Sequence, residues 1–158
     1  MIKKFVALFG FLVGGSSCNP AYIATPNPYI EQMFTRESAI KTLEEVLNSR
    51  DNIFGMGITI AREHVFIDGE VISCTVNPQQ FNCQFRYPEG DYNLRIEKER
   101  VETIEFKKIR EAVCTGEGEA VIYPYSREYF ERNPWKINFQ NISNCQKFID
   151  ALTYLKNH

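Results

Sequence analysis

Five cysteines place the strongest constraint on what this 158-residue chain can become. Four of them, Cys74, Cys83, Cys114 and Cys145, lie in the body of the sequence, and the fifth, Cys18, stands directly behind a leader. Lys3 and Lys4 open that leader, and the apolar run from Phe5 to Gly15 follows. The run is too short for a bilayer, which needs roughly twenty apolar residues. It reads as an export signal, with Gly15-Ser16-Ser17 supplying the small side chains that a signal peptidase tolerates. Export brings the chain into an oxidising compartment where thiols pair, so an odd count leaves one over.

The residues around Cys18 resemble the lipobox of bacterial lipoproteins, with Gly15 at the place of the usual Leu and Leu12 and Val13 further upstream. The resemblance covers the first eighteen residues. It implies cleavage after residue 17, a thioether-linked diacylglycerol on Cys18 and acylation of its new amine, which together make a multi-chain membrane anchor. Lipidation would consume the odd cysteine and leave four to pair. The alternative is ordinary cleavage, giving a soluble secreted protein with Cys18 free or in an intermolecular bond. On the lipoprotein reading the protein belongs to the bacterial cell envelope, on the periplasmic or outer-membrane side.

Removing residues 1–17 takes away both lysines of the leader and leaves sixteen basic side chains against twenty acidic ones. That balance carries no electrostatic footprint for nucleic acid and no basic membrane-hugging surface. With 44% hydrophobic and 24% charged residues the chain is suited to one folded domain, here expected over residues 35–158. Residues 18–34, with Pro20, Pro26 and Pro28, read as an extended tether reaching some tens of ångströms, although Tyr22, Ile23, Tyr29 and Ile30 would let part of it pack back on the domain.

Thr35 is placed to cap a helix whose apolar positions Ala39, Ile40, Leu43, Val46 and Leu47 follow one buried stripe. From Asn52 onward the pattern changes to short stretches rich in Ile, Val, Phe, Tyr and Thr, which predicts strands. Asp68-Gly69, between His64–Ile67 and Val71–Val76, predicts a tight hairpin. A turn at Asn77 to Gln80 would set Val76 against Phe81, Thr75 against Asn82 and Cys74 against Cys83, close enough for a disulfide. Cys114 and Cys145 would then form the second bond, though four cysteines allow three connectivities. Residues 96–113 are read as a helical turn followed by a strand. Ala120–Tyr125 and Trp135–Phe139 are expected as strands, with a long loop over 125–133. Ser143 and Gln146 match a capping box ahead of a C-terminal helix with Phe148, Ile149, Leu152 and Leu155 on its apolar face.

About seven short antiparallel strands closed by one amphipathic helix resemble the pleckstrin-homology-like fold. The segment Trp135-Lys136-Ile137-Asn138-Phe139, leading into Phe148, Ala151 and Leu152, carries the resemblance, with Glu102 to Lys108 as a central strand. It implies an α+β domain, a small mostly antiparallel barrel or sandwich with an added N-terminal helix and a capping helix at the C-terminus. A helix packed across an ordinary antiparallel sheet is the alternative.

Candidate chemistry is sparse. His64 is the one histidine away from the terminus, but its neighbour Glu63 would point to the opposite face of a strand and so would not orient the ring. Disulfides explain Cys74, Cys83, Cys114 and Cys145 better than a metal site does, and Glu117 and Glu119 lack the dense spacing of a calcium loop. No metal and no cofactor is expected. Tyr123, Tyr125, Tyr129, Phe130 and Trp135 put five rings into thirteen residues; of these Tyr123, Tyr125, Tyr129 and Trp135 form the candidate binding surface, with core packing as the plainer explanation. Lys107, Lys108 and Arg110 would suit an anion, weakened by Glu105 and Glu111 beside them. The expectation is a non-enzymatic, lipid-anchored envelope protein that binds another protein or an envelope component and no nucleic acid. The alternatives are a small envelope hydrolase using His64 and a structural or stress-related envelope protein without a specific ligand.

Overall fold

A computed structural model of the chain describes residues 23–49, 53–60, 63–90, 96–125, 135–139 and 141–158, with Ile23 and residues 53–60 and 63–68 described by backbone alone. Residues 1–22 with Cys18 and the expected leader, and the expected loop from Ser126 through Asn133 with Tyr129, lie outside the described residues.

The fold is α+β and antiparallel. Its strands are β1 (Ile23–Ala24), β2 (Ile53–Ile60), β3 (Glu63–Val76), β4 (Gln80–Glu89), β5 (Ile96–Glu105), β6 (Ile109–Thr115), β7 (Glu119–Pro124) and β8 (Trp135–Asn138). Its helices are α1 (Ile30–Met33), α2 (Arg36–Leu47) and α3 (Ile142–Asn157). The strands form one sheet in the order β1-β6-β7-β8-β2-β3-β4-β5. Strand β8 returns to pair with β2, while β1 and β5 remain as two edges, so the sheet is not closed into a barrel.

One face of the sheet is apolar because alternate positions are apolar. Phe81, Cys83 and Phe85 on β4, Ala112 and Cys114 on β6, and Ala120 and Ile122 on β7 are buried. Helix α3 covers β6 and β7 with Phe148, Ile149, Leu152 and Leu155, and α2 packs against α3 and β3 with Ala39, Leu43, Val46 and Leu47. Phe148 sits between Phe81 and Phe139, with ring centroids 6.2 and 5.2 Å away. Thr35 caps α2 in a reciprocal box with Ser38, as its position implied.

Three expectations are corrected. Asp68-Gly69 does not turn the chain, because β3 runs unbroken from Glu63 to Val76. This strand pairs with β2 through Glu70 and with β4 from Glu70 onward, and its register shifts between Val71 and Ser73. Gly69 stands at that handover. A Cβ there would lie 2.4 Å from the Phe85 ring and 2.8 Å from the Arg86 carbonyl oxygen, so the missing side chain serves a close approach, the other reason for a glycine inside a strand.

The second correction concerns residues 96–113. A ten-residue strand comes first, then a 3-10 turn at Phe106–Lys108, then β6. The charges of Glu97 to Arg100 suit an edge strand as well as a helix, since charge blunts an open edge against further pairing. Arg86 on β4 meets Glu99 at 3.2 Å and Glu97 at 3.7 Å, and Lys98 pairs with Glu89. Third, the cap of α3 lies two residues before the expected Ser143: Asn141 Oδ1 accepts from the Asn144 N–H at 2.8 Å, and Gln146 is engaged elsewhere.

Gln146 holds a strap, residues 23–34, that occupies much of the expected tether. Ile23 and Ala24 pair with Thr115 and Cys114, the Gln146 side chain donates to the Thr25 carbonyl at 3.0 Å, and the Asn27 N–H donates to Asp150 Oδ1 at 2.8 Å. Further on, Glu31 pairs with His158, and Phe34 packs on the Tyr154 ring. Asp150 is the buried charged group among the described residues, and it also accepts from Gln146 Nε2 at 2.9 Å. Hydrogen bonds to a charged group are worth about 1.5–3 kcal/mol each, and cutting one leaves its donor unsatisfied. Asp150→Ala is therefore expected to lower stability by about 2 kcal/mol and to speed amide exchange at Asn27. Unchanged exchange at that amide would show that the strap is held by other means.

Candidate functional site

The first disulfide joins the two residues that the turn geometry set opposite each other, and the second joins the remaining pair. Cys74 is the register partner of Cys83, with α carbons 4.2 Å apart, and Cys114 bonds Cys145 across 6.0 Å. The first staples one hairpin. The second fastens the end of β6 to the first turns of α3.

The candidate aromatic surface divides. Side chains alternate along β7, so Ala120 and Ile122 face the core while Tyr123 points to the other side, half-buried. The Arg110 guanidinium carbon lies 5.5 Å from the centre of the Tyr123 ring, a cation–π contact. Tyr125, just past the strand, is 61% exposed, and its N–H donates to the Lys108 carbonyl. Trp135 is the register partner of Ile122 and packs against the core, so it shares no face with Tyr123. His64 stands opposite Thr59 in the β2–β3 pair. Glu117 is exposed in the β6–β7 turn, and Glu119 is bound by Lys136 at 3.0 Å.

The basic cluster is largely neutralised from within. Glu105 accepts Lys108 Nζ at 3.0 Å and Lys107 Nζ at 3.1 Å, and Arg110 pairs with Glu111 at 2.9 Å. The two ammonium groups, Lys108 first, hold the Glu105 carboxyl below its ordinary range. A depressed carboxyl contributes stability above its unfolded-state value and loses it as pH falls through the folded value. Lys108→Met is expected to move the Glu105 titration back up by more than Lys107→Met does, followed by carboxyl-carbon NMR. Equal shifts from the two variants would contradict this ordering.

These charges border a cleft of about 360 Å³ that the sequence did not reveal. Gln79 and Gln80 form one wall, on a turn held by Asn77, whose Oδ1 accepts from both of their N–H groups at 2.9 and 3.0 Å. Glu105, Phe106 and Lys107 form the second wall, tied to the first by the Phe106 N–H, which donates to the Gln79 carbonyl at 2.9 Å. The third comes from the end of α3, with Leu155, Lys156 and His158. Lys156 Nζ donates to the Arg110 carbonyl at 2.7 Å and so fixes α3 against β6. Phe106 and Leu155, both nearly buried, provide an apolar floor beneath amide, ammonium and carboxylate groups.

The cleft sets polar groups around an apolar base, the usual build of a small-ligand pocket. Its residues come from three segments, and the turn, charge and helix patterns read in each segment say nothing of their meeting. Lys107 and Glu105 are the members that the sequence marks for charge. Among the described residues no cluster of His, Cys, Asp and Glu is arranged to hold a metal ion. No protein-family model matches the chain, and no curated protein matches it either.

Proposed function

We propose that this chain is a lipid-anchored protein of the bacterial envelope whose domain acts as a non-enzymatic binding module for a protein or another envelope component. The observation that carries the reading is the pairing of the cysteines: Cys74–Cys83 and Cys114–Cys145 account for four of the five. Both bonds suit an oxidising compartment, and the thiol left over is Cys18, directly behind the small residues of the leader. A diacylglyceryl thioether at Cys18 would consume it.

The order of elements supports a pleckstrin-homology-like reading of the domain. Seven strands, β2 to β8, are followed by a single helix, and the last strand pairs back to the first so that α3 lies over the sheet. Strand β1 and helices α1 and α2 are additions to that plan. The cleft at the end of α3 is the surface we assign to recognition.

The intact mass of protein extracted from membranes tests the anchor. The expected species begins at Cys18, carries added acyl chains and lacks four thiol hydrogens. Cys18→Ala is expected to abolish acylation and shift the protein from the membrane to the soluble fraction. A mature protein without acyl chains, or one with reduced cysteines, would refute the reading. Crosslinking in intact envelopes, with Gln79→Ala and Lys107→Ala as comparison, tests the cleft.

A further inference from the structure

We infer that the domain rests directly on the bilayer in one orientation, with the β6–β7 turn and the first turn of α3 against the lipid and the cleft at the opposite pole. The inference rests on the proposed anchor at Cys18 and adds the face that meets the membrane.

The argument begins with reach. Ile23 is already paired to Thr115, and it lies five residues after Cys18 with four between, so the two are at most about 18 Å apart. With Cys18 anchored, Ile23 and the end of the sheet where it pairs are held within that distance of the lipid surface.

Direction follows from pairing. Strand β1 is antiparallel to β6, so tracing the chain back from Ile23 leads past Thr115 toward the turn at Gly116 and Glu117. The Cys114–Cys145 bond places the start of α3 at this same end, and the contact of Lys156 with Arg110 places its finish at the other. Ile142, 42% exposed, lies at the anchored end. Helix α2 agrees: Arg36 at its start donates to the Pro78 carbonyl at the cleft end, while Ser49 just beyond its last turn shares a groove with Asn144 and Lys147. Sixteen residues of α3 separate the two poles by about 24 Å.

The cleft therefore opens away from the lipid, where a partner can reach it. The partner of the opposite pole is the bilayer itself. Charged residues of both signs, Glu45 and Lys147, line the groove at that pole, so the orientation is assigned to the short tether and not to charge attraction.

The test uses the full acylated protein in phosphatidylethanolamine–phosphatidylglycerol vesicles carrying an acceptor dye at the lipid surface. A fluorescent amino acid is placed at position 117 in one sample and at position 79 in another, both exposed. Energy transfer is expected to be at least threefold more efficient from position 117. Equal transfer from both positions, or stronger transfer from position 79, would overturn the orientation while the protein still floats with the vesicles. Protein that neither carries acyl chains nor floats would instead remove the anchor reading, and the orientation with it.

Discussion

Gly69→Val is expected to destabilise the domain by about 3 kcal/mol, and Gly69→Ala by about 2 kcal/mol, the range for forcing extra atoms into a packed interior. The reason is local and geometric. A first side-chain carbon would fall 2.4 Å from the Phe85 ring and 2.8 Å from the Arg86 carbonyl oxygen, distances that ordinary contacts do not reach. The ring can move, but the carbonyl belongs to the β3–β4 ladder at the point where β3 changes partners. Urea denaturation should therefore show a lower midpoint with an unchanged slope. Adding Phe85→Leu to Gly69→Ala should recover part of the loss, since it relieves the ring and leaves the carbonyl contact. A Gly69→Ala protein within about 0.5 kcal/mol of the parent would show that β3 bends at this point for another reason, the ordinary scatter of a neutral substitution being about that size.

Removing the Cys114–Cys145 bond has the other large effect. A cross-link stabilises mainly by limiting the unfolded chain, and the limit grows with the loop it closes. The separation is thirty-one residues for Cys114–Cys145 and nine for Cys74–Cys83, which corresponds to about 4 and about 3 kcal/mol. Alanine is the appropriate replacement, because all four sulfurs are buried and a serine would bring in a hydroxyl that needs a partner. The longer bond also holds the first turns of α3 to β6, beside the point where β1 joins the same strand. Its loss is expected to loosen β1, seen as faster amide exchange at Ile23 and Ala24. A shorter bond that proved the more valuable would mean that the unfolded chain already keeps the 114–145 loop closed.

Much of the architecture was legible from alternation and capping. The stripe of α2, the Thr35 cap, the Asn77 turn and the apolar face of α3 are each local patterns, and each is where the residues implied. Because a short turn propagates register along both strands, the Asn77 turn also implied the Cys74–Cys83 partnership. Two of the errors share one cause. Asp68-Gly69 has the chemistry of a hairpin, but a glycine also admits a neighbour's ring, and Phe85 comes from a strand beyond the local window. The charged run at 97–100 suits a helix surface and an edge strand equally, and only its place at the rim of the sheet decides between them. The cleft was illegible because Gln79, Lys107 and Lys156 meet through folding alone.

The residues themselves determined the odd cysteine count, the short apolar run near the N-terminus, the two amphipathic helices and the register of one disulfide-bonded hairpin, because each depends on neighbours within a few positions. Tertiary structure decided that β3 runs through Gly69, that residues 23–34 strap the domain, and that three distant segments enclose a cleft. Those outcomes depend on which surfaces become adjacent when apolar faces are buried together, and spacing along the chain does not record that.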